Sequence, residues 1–176
     1  PKLVEDSVPG AITLGELVRV IRGLLREGIS VRDLRGILEA VADAAPRSKD
    51  AHFLIEQVRR RLARQITGRI AEAGVLFALT LDRQTEDALR QSLGHNDGEP
   101  TLAPDINTAR ALIASLETRA AALAAQGRSA VILAPADLRR ALFEFASRFI
   151  PDLFVVSARE LAPGTTIEPA GVITLT

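Results

Sequence analysis

The chain has 176 residues with 22 basic and 22 acidic side chains, so it carries no whole-chain field that would draw in nucleic acid or anionic lipid. It has no Cys, which excludes disulfides, thiolate zinc sites and cysteine nucleophiles. No apolar run approaches the roughly 20 residues that a membrane span needs, and the first residues do not read as a signal peptide.

The hydrophobic share of 47% is that of a globular protein, long enough for one domain or two small ones. Aromatics are limited to six Phe, so the core has to be built from Leu, Ile, Val and Ala. Residues 1–74 hold 13 basic and 10 acidic groups, net +3, and residues 75–176 hold 9 and 12, net −3. Met is absent even at position 1, which suggests a piece of a longer protein. Of the 22 basic residues, 20 are Arg, which reads as codon bias before chemistry.

Thr13 and Glu16 form a T-x-x-E capping box at a helix start. Leu14, Leu17, Val18, Ile21, Leu24 and Leu25 then follow helical spacing on one face, and Gly28 is the expected stop. Ser30 and Asp33 open the next helix, with Val31, Leu34, Ile37, Leu38 and Val41 as its stripe and Pro46 just past its end. Asp50 caps a longer third helix carrying Leu54, Val58, Leu62, Ile66 and Ile70, with His52 as a surface residue of its first turn. Three such helices predict a helical unit.

Near Gly74 the period changes. Val75 to Leu81 is almost continuously apolar, as for a strand covered on both faces. Asp82 caps a helix to about Leu93, and Gly94 to Pro100 reads as a loop. A long helix is expected from about Asp105 to Gln126, ended by Gly127. Ala130 to Leu133 reads as a second buried strand. Asp137 to Phe149 is a helix with Leu138, Leu142, Phe145 and Phe149 inward, and Pro151 stops it. Leu153 to Val156 is a third strand, Ser157 and Glu160 cap a short turn, and Thr166 to Leu175 is extended. Alternating strands and helices imply parallel pairing. The fold class expected is mainly α with a small α/β part: a tail over 1–12, a helical subdomain over 13–74, and an α/β subdomain over 75–176 with a short, mostly parallel sheet.

Neither a G-x-G-x-x-G nor a G-x-x-x-x-G-K-[ST] pattern follows any strand. The strand-to-helix turns Leu81-Asp82-Arg83 and Ala134-Pro135-Ala136-Asp137 place Asp at the helix start, where its charge would repel a phosphate. His95-Asn96-Asp97, with Asp105, has metal-ligating groups, but the stretch reads first as a solvated turn between helices, with Asn-Asp-Gly suited to left-handed backbone conformations. No G-x-S-x-G elbow occurs, and Glu86-Asp87 falls on a polar helix face. No catalytic group, cofactor or metal is expected. The strongest charge feature is Arg59-Arg60-Arg61 with Arg64. These side chains spread around a polar arc, as a solvated face paired with neighbours such as Glu56 or as an intersubunit contact.

The stretch Leu24-Leu25-Arg26-Glu27-Gly28-Ile29-Ser30-Val31-Arg32-Asp33-Leu34 carries a specific resemblance. It continues in Ile37-Leu38-Glu39-Ala40, Ala45-Pro46, Lys49-Asp50 and Val58-Arg59, and its lead-in is Pro1-Lys2-Leu3-Val4 and Val8-Pro9. Later it runs through Thr80-Leu81-Asp82, Gln126-Gly127, Leu138-Arg139, Pro151-Asp152-Leu153 and Ile167-Glu168-Pro169-Ala170-Gly171. These residues resemble the FlhA/SctV export-gate family (FHIPEP) of bacterial flagella and injectisomes over essentially the full chain. Val41-Ala42-Asp43-Ala44 lacks the aromatic often found there, and the loop from Gly94 to Thr101 is a variable one.

The resemblance implies a membrane-embedded N-terminal region and a four-subdomain cytosolic region that assembles into a ring, usually of nine. The present chain would be the helical third and the α/β fourth subdomain with the end of the first, so most of the chaperone-docking groove would lie elsewhere. It implies a homo-oligomeric ring and, as partners, the export ATPase stalk, export chaperones and substrates. It implies no nucleic acid, and membrane contact only through the missing N-terminal region. Ring contacts are expected at Arg26, Glu27, Arg32, Asp33, Arg59 and Arg60; the alternative is that Arg32 and Asp33 only tie helices together. Two other readings are a small ligand- or nucleotide-binding α/β domain and a nucleic-acid module built on the Arg-rich helix.

Overall fold

The computed structural model describes residues 10–176. Most of the expected tail over 1–12, with the lead-in motif, lies outside the described residues. The chain divides into two compact units, a first running to Arg69 and including Glu160–Ala162, and a second of Ile70–Arg159 and Pro163–Thr176.

The first unit is helical. Helix α1 (Leu14–Arg26) starts on the expected capping box: Glu16 N donates to Thr13 Oγ1 at 3.2 Å and Thr13 N to Glu16 Oε2 at 2.7 Å. It ends in a Schellman turn. Gly28, at φ 75°, donates to Leu25 O, and Ile29 donates to Leu24 O, both at 2.9 Å. Helix α2 (Leu34–Ala44) is capped by Asp33, which accepts from Gly36 N at 2.9 Å. It starts later than expected. Val31 precedes it, and Leu34 is exposed, because the cap sits at Asp33 rather than Ser30.

The expected single third helix is two: α3 (Ala51–Arg61) and α4 (Ala63–Ile70). The break falls at Leu62, at φ −88° and ψ 19°, where no Gly or Pro marks it. Leu62 still donates to Val58 O at 2.9 Å and stays buried, so the apolar stripe continues through the kink. Val20, Leu24, Ile37, Val41, Leu54, Val58 and Ile66 form the interior of this unit. Gly23 marks the close approach of α1 to α3, since a Cβ there would overlap Ile55 Cδ1.

The second unit holds a four-stranded sheet in the order β5-β4-β1-β6, built from β1 (Val75–Leu81), β4 (Val131–Leu133), β5 (Phe154–Val156) and β6 (Thr166–Ile173). All three pairings are parallel, as the continuous apolar runs imply. Helices α5 (Arg83–Gln91), α6 (Ile106–Ala124) and α7 (Ala136–Ala146) bring Leu89, Leu112, Leu116, Leu138 and Leu142 to the core around Leu79, Ile132, Val155 and Ile173. Strand β6 is an edge. Pro169, which lacks an amide proton, and a register shift opposite Ala78/Leu79 blunt it, and Arg119 on α6 donates to Val172 O at 3.2 Å.

Two expectations are corrected here. The segment from Gly94 to Pro100 is not a loop: β2 (Leu93–Asn96) and β3 (Glu99–Leu102) form an antiparallel hairpin. Its two-residue turn has Asp97 at φ 51° and Gly98 at φ 81°, the geometry that Asp-Gly favours. Leu93 and Leu102 face each other across it and rest against the core, which anchors an otherwise polar ribbon. Helix α7 stops at Ala146, so Phe149 leaves the helical period and is exposed, while Phe143 takes the buried place. Asp137 lies in the first turn, and the cap is Pro135 with no side-chain bond. The fold is mainly helical with a small, mostly parallel sheet.

Candidate functional site

Successive side chains on a helix turn by about 100°, so three adjacent arginines cannot all face water if the helix also buries a stripe. Arg60, Arg61 and Arg64 are exposed. Arg59 is not. It lies one turn from Ile55 and one from Leu62, on the apolar side of α3, with 0% relative exposure. The expected placement of Arg59 on a solvated arc, open to another subunit, is therefore corrected.

Within the first unit Arg59 is held by two carboxylates. Its Nε donates to Glu160 Oε2, and its Nη1 lies 3.6 Å from Glu27 Oε2. Glu27, the C-cap residue of α1, is 5% exposed, and Glu160, at the end of the 3₁₀ turn Ala158–Glu160, is 1% exposed. Beside this pair Ala162 N donates to Thr67 Oγ1 on α4 at 2.8 Å. Desolvating three charges is costly unless they are paired, and here one guanidinium is hydrogen-bonded to Glu160 and ion-paired with Glu27. The cluster joins α1, α3 and residues 160–162 into one node. Glu27, expected at a ring contact, is thus also interior.

The remaining expected residues lie outside. Arg26 ends α1, Arg32 precedes α2, Asp33 spends its carboxylate on the α2 cap, and Arg60 points to solvent from α3. Arg61 extends a surface network instead, binding Glu39 at 2.9 Å while Arg35 binds the same carboxylate at 2.9 Å. The Arg35 hydrogen bond holds the Glu39 carboxyl below its ordinary pKa. Glu160 is the participant that sequence reasoning missed, read there as a cap.

The second unit has its own buried cation. Arg139 on α7 has 0% exposure and donates from Nη1 to Val155 O on β5 at 3.2 Å. Asp137 binds Arg90 on α5 at 2.9 Å, and that bond keeps its carboxyl below the usual range. Asp82 and Asp105 each cap a helix, accepting from Thr85 and Thr108, and both are held below the ordinary value by those bonds. Asp82 and Asp105 thus serve helix starts, and Asp137 an ion pair with Arg90. Among the described residues no group of three His, Cys, Asp or Glu converges to hold a metal, and no helix is long and apolar enough to cross a membrane.

The model of the FHIPEP family matches residues 1–166. The flagellar biosynthesis protein FlhA of Escherichia coli K12 is 35% identical over 175 residues, covering 98% of this chain and 24% of its own. The chain thus spans about a quarter of the length of the curated relatives it matches. The solved complex of Chlamydia pneumoniae CdsV and CdsO superposes with a TM-score of 0.90 at 28% identity, covering 99% of this chain and 51% of the other. The nonameric EscV cytosolic domain from the type III secretion system superposes at 0.77 with 26% identity, over 98% of this chain and 51% of the other.

Proposed function

The chain belongs to the FHIPEP family, and from that premise we propose that it is part of the cytosolic region of a bacterial type III protein-export gate, flagellar or injectisome. The observation that carries this reading is that similarity runs through both units, over 98% of the chain, to FlhA and to the EscV cytosolic domain alike. Residues 13–74 act as the helical third subdomain and 75–176 as the α/β fourth.

The role is architectural. The chain contributes to a homo-oligomeric ring, and a nonameric one fits the EscV assembly. It offers docking surface to export-apparatus partners, a role supported by CdsV having been solved with CdsO. The export ATPase stalk, export chaperones and substrates are the proposed partners, at the cytoplasmic face of the inner membrane. Exposed Arg26, Arg32, Asp33 and Arg60 are the ring-contact candidates, while Glu27 and Arg59 act from inside by holding α1 and α3 in place. The converging groups described above serve caps and buried ion pairs, which supports a scaffold over an enzyme.

The test is an in-frame deletion of the codons for residues 14–173 from the source gene. Export substrates should disappear from the culture supernatant while the shortened protein stays detectable by immunoblot. Secretion at the parental level overturns the reading.

A further inference from the structure

Helix α1 carries apolar residues on two sides. Val20 and Leu24, at 0% exposure, face the interior of the first unit, and Gly23 abuts Ile55. Leu14, Val18 and Leu25 face the other way, at 65%, 37% and 53% exposure. Their spacing of four and then seven residues puts them within about 40° of one another, so they form a continuous stripe along the helix. Leu17 and Ile21 border the stripe, half-buried.

Among the residues of α1 itself, the charge beside this stripe has one sign. Arg19 and Arg22 are exposed and fall on the adjoining sector of the helix. The helix's one carboxylate, Glu16, accepts from the Thr13 amide in the capping box. The outward face is therefore half leucine-and-valine and half arginine. A merely solvated face would carry mixed charges and no apolar stripe.

We propose that this face of α1 docks an amphipathic helix with an acidic flank, supplied by a partner protein. The stripe gives the apolar seam such a helix needs, and the arginines pair with Glu or Asp flanking the partner's own seam, fixing its direction. A lipid surface suits the face less well. The stripe is narrow, it bears no Trp or Phe, and the helix is locked into its unit by Val20 and Leu24, so it cannot roll into an interface. The inference stands on the geometry of α1 and does not depend on the export-gate reading.

Fluorescence anisotropy of the whole chain tests it. The probe is a labelled three-heptad helix with Leu seam positions and Glu flanks, compared with the same helix carrying Lys flanks. The Glu-flanked probe should saturate and bind about tenfold or more tighter than the Lys-flanked one at low salt. Leu25→Asp should weaken it by about tenfold or more with unchanged circular dichroism. Arg19→Glu with Arg22→Glu should invert the preference between probes, which loss of fold would not do. Four results overturn the proposal: no saturation, equal binding of both probes, a dimer of the chain that Leu25→Asp dissolves, or binding to phosphatidylglycerol vesicles that exceeds binding to the probe.

Discussion

Arg59→Met removes the charge from the buried node of the first unit while keeping most of the side chain's volume. Glu160, whose carboxylate takes the Arg59 Nε, and Glu27, 3.6 Å from Nη1, would stay in the interior without that cation. Breaking a buried ion pair by removing one partner costs about 3–5 kcal/mol, because the remaining charge stays desolvated. Two carboxylates are stranded here, which favours the upper half of that range. With a urea slope near 2 kcal/mol/M, the transition midpoint should fall by about 2 M. Urea titration followed by far-UV circular dichroism measures it. Glu160→Gln should cost more than Glu27→Gln, since Glu160 makes the direct hydrogen bond and Glu27 the longer ion pair. Replacing all three by Met or Leu should recover much of the loss, because an apolar cluster of similar volume carries no desolvation cost. A midpoint for Arg59→Met within about 0.25 M of the parent, which is about 0.5 kcal/mol at that slope, would refute the reasoning, since that is the range of an ordinary surface change.

Two glycines in helices should respond with opposite signs to the same substitution. Gly68→Ala on α4 meets nothing within 4 Å and should gain up to about 1 kcal/mol from helix propensity. Gly23→Ala should lose stability by about 1 kcal/mol net, because overlap with buried Ile55 outweighs that gain; paired thermal melts decide both. Asp82→Ala should lower the urea midpoint at pH 7. The folded pKa of Asp82 is depressed, so its contribution is present above the unfolded value of about 3.9 and fades as pH falls through the folded one. The difference between variant and parent should therefore shrink at pH 3, and a constant gap would count against the cap. Arg60→Glu should leave chain stability within about 0.5 kcal/mol but reduce ring formation by the complete cytosolic region in electron micrographs; intact rings would remove Arg60 from the contact set.

Much of the fold is legible in local chemistry. Thr13, Asp33, Asp50, Asp82 and Asp105 all cap the helices their positions announce, because a short oxygen-bearing side chain satisfies free amides within three residues. Val75 to Leu81 reads as a covered strand and is the inner strand between β4 and β6. The hairpin at Asp97-Gly98 was also visible in principle, through a dipeptide suited to positive φ, but its four-residue strands are too polar to show a periodic stripe.

The candidate site is less legible, and Arg59 shows why. Its burial has a sequence signal, since Ile55, Arg59, Leu62 and Ile66 follow helical spacing, and an arginine on that stripe must face inward. Its partner has none. Glu160 lies 101 positions away, and only the folded chain brings it to the guanidinium. Capping, periodicity and turn chemistry act over a few residues, so the sequence by itself determined most of the helices, the strands of the parallel sheet and their order, but neither the break at Leu62 nor the hairpin. Which carboxylates follow Arg59 out of water depends on distant segments meeting, and that was decided by tertiary structure alone.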